Sequence, residues 1–160
     1  GWRGTGRWSD ERGVNRLDSG TPFYDTYETS DGKYMAVGAL EPQFYTELIK
    51  GLGLDPATLP EQNERERWPE LREIFTATFG SKTRDEWAII FDGTDACVSP
   101  VLTFAEAPEQ VHLKARDTLI EVDGVTQHGP APRFSRTPSG VPTAPPPSAV
   151  DAETVWRQPV

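Results

Sequence analysis

Two Asp-Gly pairs, Asp31-Gly32 and Asp123-Gly124, constrain the fold of this chain more than any other feature of its sequence. The first lies between the β-prone runs 23–28 and 33–37, and the second lies between 119–122 and 125–127. An Asp-Gly pair in this setting favours a tight turn, because glycine adopts positive φ without steric cost. The sequence therefore predicts two antiparallel hairpins.

Helical periodicity separates the two hairpins. Apolar residues recur at spacings of three and four after Pro42 and again over residues 68–79, so each segment carries one apolar stripe. Proline suits the first position of a helix, where its missing N–H needs no partner. We expect the first helix to end near Gly51 or Gly53 and the second to end at Gly80.

Weaker signals follow the second helix. Capping-box patterns at 83–86 and 103–106 predict two more helices, the second of them running towards Arg116. Residues 98–102 are β-prone but contain Pro100, so they predict at best an edge strand. Together these elements predict an α+β fold, in which antiparallel hairpins pack with three or four short helices and extended linker arms flank the small domain.

Composition divides the chain into three parts. Residues 1–20 show no periodicity and are rich in glycine, arginine and polar residues, which predicts a linker arm. Residues 21–136 carry every predicted element and form the expected small α+β domain. Eight of the 15 prolines lie beyond residue 129, so residues 137–160 are predicted to be a proline-rich linker or tail without a core of its own.

Charge and cysteine content exclude several kinds of partner and site. A net charge of −9 without any basic cluster argues against binding to nucleic acid or to an anionic membrane. The single cysteine, Cys97, cannot form an intrachain disulfide, and we expect it to be a small buried residue. No apolar run approaches the length of a membrane span. A cytoplasmic location is therefore expected.

Complete catalytic motifs are absent from the sequence. It contains no glycine-rich phosphate loop, no cysteine or histidine pair at metal-ligand spacing, and no serine in a nucleophile elbow, so no metal site is expected. Glu41 is the exception worth testing, because it stands at the predicted N-cap between Leu40 and Pro42. A carboxylate there lies near the positive end of the helix dipole, which suits a group that orients or exchanges a proton, although acidic residues at helix starts are also common.

Three stretches of the sequence carry distinctive motifs: NRLDSGTPFYDTY over 15–27, VGALEPQFY over 37–45 and DGTDACVSPV over 92–101. They resemble the α-methylacyl-CoA racemases within the type III CoA-transferase superfamily. The segment PAPRFS over 130–135 is similar to the part that leaves the small domain in this family. The sequence departs from the family pattern at Ser19 and Thr21, where glycine and alanine are usual, and we expect these changes to stiffen or narrow that edge.

The resemblance implies a reaction and a site. Such racemases invert the carbon next to a CoA thioester by removing a proton on one face and returning one on the other, through an enolate. No redox cofactor or metal is implied, since CoA is part of the substrate. The resemblance assigns Glu41 a catalytic role and places Leu17, Tyr24 and Leu40 in the pocket for the acyl chain.

The resemblance also implies partners. In this family the two catalytic bases lie on a large N-terminal domain, and the glutamate that matches Glu41 comes from the small domain of the other subunit of an interlocked homodimer. Residues 1–20 would then be the linker arm from a large domain that this chain lacks, and the fragment alone is expected to be inactive. Two alternatives are a CoA-transferase of the same superfamily, which would use an aspartyl nucleophile, and a non-catalytic dimerisation or interaction module.

Overall fold

The computed structural model describes residues 1–144. The chain divides into two compact units, Gly1–Val101 and Leu102–Val160, and the second unit is described up to residue 144. Antiparallel hairpins and short helices make up both units, which confirms the predicted α+β class. The domain boundaries at residues 20 and 136 stay a prediction. Most of the predicted tail, residues 145–160, lies outside the described residues.

The first hairpin forms a three-stranded antiparallel sheet with a later strand. Strands β1 (Tyr24–Glu28) and β2 (Tyr34–Gly38) pair across the turn that contains Gly32, whose φ is 69°, as predicted. Strand β3 (Val98–Pro100) pairs with β2 at the edge of the sheet. The edge position is where a proline is tolerated, because its missing N–H leaves no gap in the ladder.

Three predicted helices are confirmed in the first unit: α1 (Pro42–Leu52), α2 (Trp68–Phe79) and α3 (Arg84–Phe91). Helix α1 starts on its proline and ends at Gly53, which has φ of 70° as expected for a left-handed C-cap. Helix α3 has the full capping box, in which the Thr83 side chain accepts from the N–H of Glu86 and the Glu86 side chain accepts from the N–H of Thr83.

A cluster of aromatic side chains forms the centre of the first unit. The rings of Tyr27 and Phe79 stack with centroids 5.0 Å apart, and Trp87 meets Phe79 edge to face at 5.3 Å. The indole N–H of Trp87 donates to the buried carbonyl of Phe79 at 2.8 Å, so the largest core side chain leaves no polar atom unpaired. Helix α1 comes so close to Phe91 that a Cβ at Gly51 would lie 2.3 Å from its ring.

Side-chain hydrogen bonds organise the loop that precedes β1. The amide of Asn15, which is 3% exposed, donates to the carbonyl of Ser9 at 3.0 Å and to the carboxylate of Asp18 at 2.7 Å. The loop folds back so tightly that a Cβ at Gly20 would lie 2.2 Å from the carbonyl oxygen of Asn15. Ser19 has φ of 69°, a left-handed conformation that glycine adopts without strain and that other residues adopt at a cost.

The second unit contains helix α4 (Val111–Ala115) and the hairpin of β4 (Leu119–Val122) and β5 (Val125–His128), which confirms the second hairpin. The prediction of one continuous helix from residue 103 towards Arg116 is wrong, because the helical segment is interrupted before Val111. The capping box at Thr103 is present, but the segment that follows is only a short 3-10 turn, Ala107–Glu109. Gln110 is extended, and its side chain accepts from the N–H of Leu113 and so starts α4 as a new helix.

Candidate active site

Glu41 occupies the N-cap of α1, as its sequence context predicted, but its side chain does not cap the helix. Its backbone is extended, with φ of −80° and ψ of 147°, because Pro42 disfavours the helical conformation in the residue before it. Its carbonyl accepts the first bond of the helix from the N–H of Tyr45 at 2.9 Å. Within residues 1–144 the exposed Glu41 carboxylate has no hydrogen bond or ion pair, so its oxygens are free to accept one from a bound molecule.

The backbone that leads into Glu41 is held by two side chains from distant parts of the sequence. A tight turn, in which the N–H of Leu40 donates to the carbonyl of Gly38 at 2.9 Å, carries the chain from β2 to α1. The carbonyl of Leu40 then accepts from Arg16 Nη2 at 3.1 Å and from Gln62 Nε2 at 3.1 Å. Gln62 Nε2 also lies 3.2 Å from the carbonyl of Ala39. These contacts restrain the peptide unit immediately before Glu41.

An open recess of about 380 Å³ lies on the outer face of the sheet beside the end of β2. Its floor consists of small residues from neighbouring strands, because side chains at opposed positions point to the same face. Tyr24 is opposite Gly38 and Ala36 is opposite Ser99, and Tyr24 stands at one side of the floor. A Cβ at Gly38 would lie 3.7 Å from the carbonyl oxygen of Cys97 and 3.9 Å from the ring of Tyr24, so both residues border the recess beside Gly38.

Cys97 also lines this recess, and the prediction that it would be buried is wrong. The residue is exposed, with φ of 53°, whereas its neighbour Ala96 is fully buried. The left-handed backbone at Cys97 turns its side chain away from the core. Partial desolvation raises the pKa of the thiol, and the negative charges of Glu41 and Asp95 raise it further.

The three residues expected to line an acyl pocket lie in different surroundings. Tyr24 lines the recess and is 36% exposed, and Leu17 is 47% exposed on the loop before β1. Leu40 is half-buried and packs against the core, while its carbonyl accepts from Arg16 and Gln62. The recess is bounded by Tyr24 and by neither leucine, so a shared acyl pocket stays a prediction.

Sequence reasoning missed Arg16, Gln62 and the exposed thiol of Cys97. Gln62 lies in a polar loop without periodicity, where nothing indicates that its side chain is buried and directed at a backbone carbonyl. Arg16 lies inside a motif used for the resemblance, but its contact with Leu40 spans 24 positions. Only the cluster of turn-forming residues before Cys97 could have signalled an irregular backbone there.

In residues 1–144 no group of three or more His, Cys, Asp or Glu side chains is arranged to hold a metal ion. None of the helices in this range is long and apolar enough to cross a membrane.

Comparison with known proteins adds to this geometry. Residues 4–151 match the sequence profile of CoA-transferase family III. The chain is 51% identical over 152 residues to an α-methylacyl-CoA racemase of Mus musculus, and the match covers 94% of this chain and 39% of the relative. It is 52% identical over 134 residues to the α-methylacyl-CoA racemase of Homo sapiens, with 82% of this chain and 35% of the relative covered.

A solved structure shares the fold. The orthorhombic crystal structure of Rv3272 from M. tuberculosis superposes with a TM-score of 0.64 at 23% sequence identity, over 81% of this chain and 38% of that one. This likeness concerns the fold alone. The chain spans about two fifths of the length of the racemase relatives that it matches.

Proposed function

Because this chain belongs to CoA-transferase family III, we propose that it forms the small-domain part of an α-methylacyl-CoA racemase and supplies Glu41 to a site completed by a large domain. The observation that carries the proposal is the Glu41 carboxylate, which stands exposed and unpaired on a restrained backbone within the described residues. The identity of about one half to the mouse and human racemases supports the racemase over other members of the family.

The proposed reaction exchanges the proton on the carbon next to a CoA thioester. Removal of that proton gives an enolate, and a proton returned to the opposite face inverts the centre. The two bases belong to the large domain in the family pattern, so this chain would contribute an orienting carboxylate. An anionic acceptor at the N-cap of α1 can hold a hydrogen-bond donor in a fixed direction.

The proposed substrate class is a CoA thioester with a 2-methyl-branched acyl chain. Tyr24 offers an aromatic surface beside the small-residue floor of the recess, which suits an apolar chain better than a polar acid. Leu17 and Leu40 are proposed to complete the acyl pocket once a large domain covers this face. Neither the chemistry nor the residues call for a metal or a redox cofactor.

The proposed assembly is an interlocked homodimer, in which the small domain of one subunit completes the site on the large domain of the other. The exposed indoles of Trp2 and Trp8, at 42% and 41% exposure, lie on the segment that would lead to the large domain. Exposed aromatic side chains of this kind are typical of surfaces that another domain covers. We propose a cytoplasmic location and expect no nucleic-acid or membrane partner.

The test uses the joined protein, which we define as this chain preceded by a large domain of the racemase type. A 2-methylacyl-CoA is incubated in deuterated water, and deuterium uptake at the α-carbon is followed by mass spectrometry. Because misplacement of a reacting group by about 1 Å can cost about 10²-fold in rate, we expect loss of the orienting carboxylate in Glu41→Gln to slow exchange by about that factor. Glu73→Gln, a matched change on the exposed face of α2, should leave exchange unchanged. Normal exchange in Glu41→Gln would exclude the proposed role.

The same assay separates the alternatives. A CoA-transferase would move CoA from its thioester to an added free acid and would not exchange the α-proton in the absence of that acid. A non-catalytic module would show neither reaction in the joined protein, although it would still associate with its partner.

A further inference from the structure

We propose that Arg16 and Gln62 are positioning residues for Glu41, acting through the carbonyl of Leu40. We call this pair of hydrogen bonds the Leu40 carbonyl clamp. The inference rests on the proposed function of Glu41, and it adds two residues to the site whose contacts the sequence motifs did not indicate.

The Leu40 carbonyl lies outside the hydrogen-bond ladder of α1. The first bond of that ladder runs from the N–H of Tyr45 to the carbonyl of Glu41, one residue later. A carbonyl in this position needs another donor, and here it receives two at the same distance, 3.1 Å from Arg16 Nη2 and 3.1 Å from Gln62 Nε2. Two donors that approach one oxygen from different elements restrain it more than either could alone.

Both donors are themselves held in place. Gln62 is 9% exposed, and its main-chain carbonyl accepts from the indole N–H of Trp68 at 2.9 Å. This hydrogen bond holds Gln62 against the first residue of α2. The guanidinium of Arg16 lies 5.9 Å from the centre of the Phe23 ring. The carbonyl of Arg16 accepts from the hydroxyl of Thr21 at 3.2 Å, and Thr21 is fully buried. Because both donors are anchored by buried or ring-contacting groups, the hydrogen bonds of the clamp fix the Leu40 carbonyl oxygen relative to the core.

Planarity of the peptide bond converts this restraint into a position for Glu41. The carbonyl oxygen of Leu40 and the Cα of Glu41 lie in one rigid plane, so fixing the oxygen limits rotation of that Cα. Pro42 limits the backbone of Glu41 from the other side by excluding the helical conformation. Held on both sides, the Cα–Cβ bond of Glu41 keeps one direction, although its carboxylate has no partner within residues 1–144 to hold it.

The test compares Arg16→Met, Arg16→Lys, Gln62→Met and the double variant Arg16→Met/Gln62→Met in the joined protein, with Glu41→Gln in the same assay. Methionine keeps much of the side-chain length but donates no hydrogen bond, whereas lysine retains a positively charged group that can donate one to the Leu40 carbonyl. Arg67→Met is the control, because it removes an arginine whose ion pairs with Glu64 and Glu70 lie on the surface. Each single clamp variant should lower kcat about tenfold with KM within a factor of two, since small displacements of a catalytic group are costly.

Two further readouts distinguish positioning from a purely structural role. Arg16→Lys should recover most of the kcat that Arg16→Met loses, and the double variant should lose much less than the product of the single losses, because both donors act on one oxygen. Thermal unfolding is measured for each variant, so that kcat refers to folded protein. If Gln62→Met does not fold, the Arg16 pair still decides the question.

The outcomes separate this inference from the proposed function. If Glu41→Gln abolishes exchange while the clamp variants keep normal kcat per folded molecule, the clamp is wrong and the role of Glu41 stands. If Glu41→Gln exchanges normally, the proposed function fails and the clamp has no catalytic group to position. Loss of kcat in Arg16→Met and its recovery in Arg16→Lys, together with loss in Glu41→Gln, supports both.

Discussion

Replacing Glu41 by aspartate should make the chain more stable and the joined protein less active. Glu41 occupies an N-cap with suitable extended backbone but makes no capping hydrogen bond. Aspartate is one methylene shorter and can accept from the N–H of Gln43 or Phe44, as N-cap residues do. The gain expected from a new N-cap hydrogen bond is about 1 kcal/mol.

Three substitutions at Glu41 should change the free energy of unfolding by different amounts. Glu41→Asp keeps the charge and adds the cap, so the free energy of unfolding should rise by about 1 kcal/mol. Glu41→Ser adds the cap but loses about 0.3–1 kcal/mol of interaction with the helix dipole, which leaves a small gain. Glu41→Gln loses the same interaction and adds no good cap. The expected order of stability is Asp, then Ser, then the unchanged chain, then Gln.

Thermal unfolding of the 160-residue chain, followed by circular dichroism at 222 nm, measures this order. For a folded unit of 101 residues, Gly1–Val101, an increase of 1 kcal/mol corresponds to a midpoint about 4 °C higher. Glu73→Asp is the matched control on the exposed face of α2, where the lower helix propensity of aspartate should reduce stability slightly. An Asp variant no more stable than the unchanged chain, or equal to Gln, would refute the assignment of an unused cap at Glu41.

Three further predictions concern the chain by itself. The pH midpoint for alkylation of Cys97 by iodoacetamide should be lower in Glu41→Gln, because the Glu41 charge contributes to the raised pKa of the thiol. An unchanged midpoint would show that the Glu41 charge does not act on this thiol. Ser19→Gly should raise the free energy of unfolding in urea by about 1 kcal/mol, since Ser19 has φ of 69°, and a loss of stability would contradict that backbone. Hydrogen bonds from Thr29 and from the N–H of Arg84 lower the pKa of Asp31. The stabilisation by the charged Asp31 is therefore present well above pH 3.8, the ordinary aspartate value, and is lost as the pH falls below that value. In urea unfolding between about pH 5 and pH 2, the free energy of unfolding should fall less in Asp31→Asn than in the unchanged chain, and an equal fall would contradict this role of Asp31.

Local signals predicted most of the fold. Asp-Gly pairs, the proline at the start of α1 and the Thr83 capping box act within a few residues, so their consequences could be recognised from the sequence. The break before α4 could not, because it depends on whether the side chain of Gln110 accepts from a later N–H. The capping-box pattern at 103–106, from which this helix was predicted, gave no indication of that choice.

The candidate site was predicted less completely than the fold. The N-cap position of Glu41 followed from its neighbours, but the contacts of its backbone did not. Gln62 reaches the Leu40 carbonyl across 22 positions, from a loop whose polar composition indicates only solvent exposure. Cys97 was expected in the core because free cysteines are often buried, whereas its left-handed backbone turns it outward. Such features depend on how distant segments meet.

The turn of the first hairpin has a consequence for how this unit unfolds. Asp31 accepts from Thr29 within its own turn and also from the N–H of Arg84, and the N–H of Ser30 donates to the carbonyl of Lys82. All the hydrogen bonds of this turn therefore form only when the start of α3 and the residues just before it pack against the turn. Hydrogen exchange should detect no partly open state in which the β1–β2 hairpin persists after α3 has left, because the two elements share hydrogen bonds and lose protection as one cooperative unit.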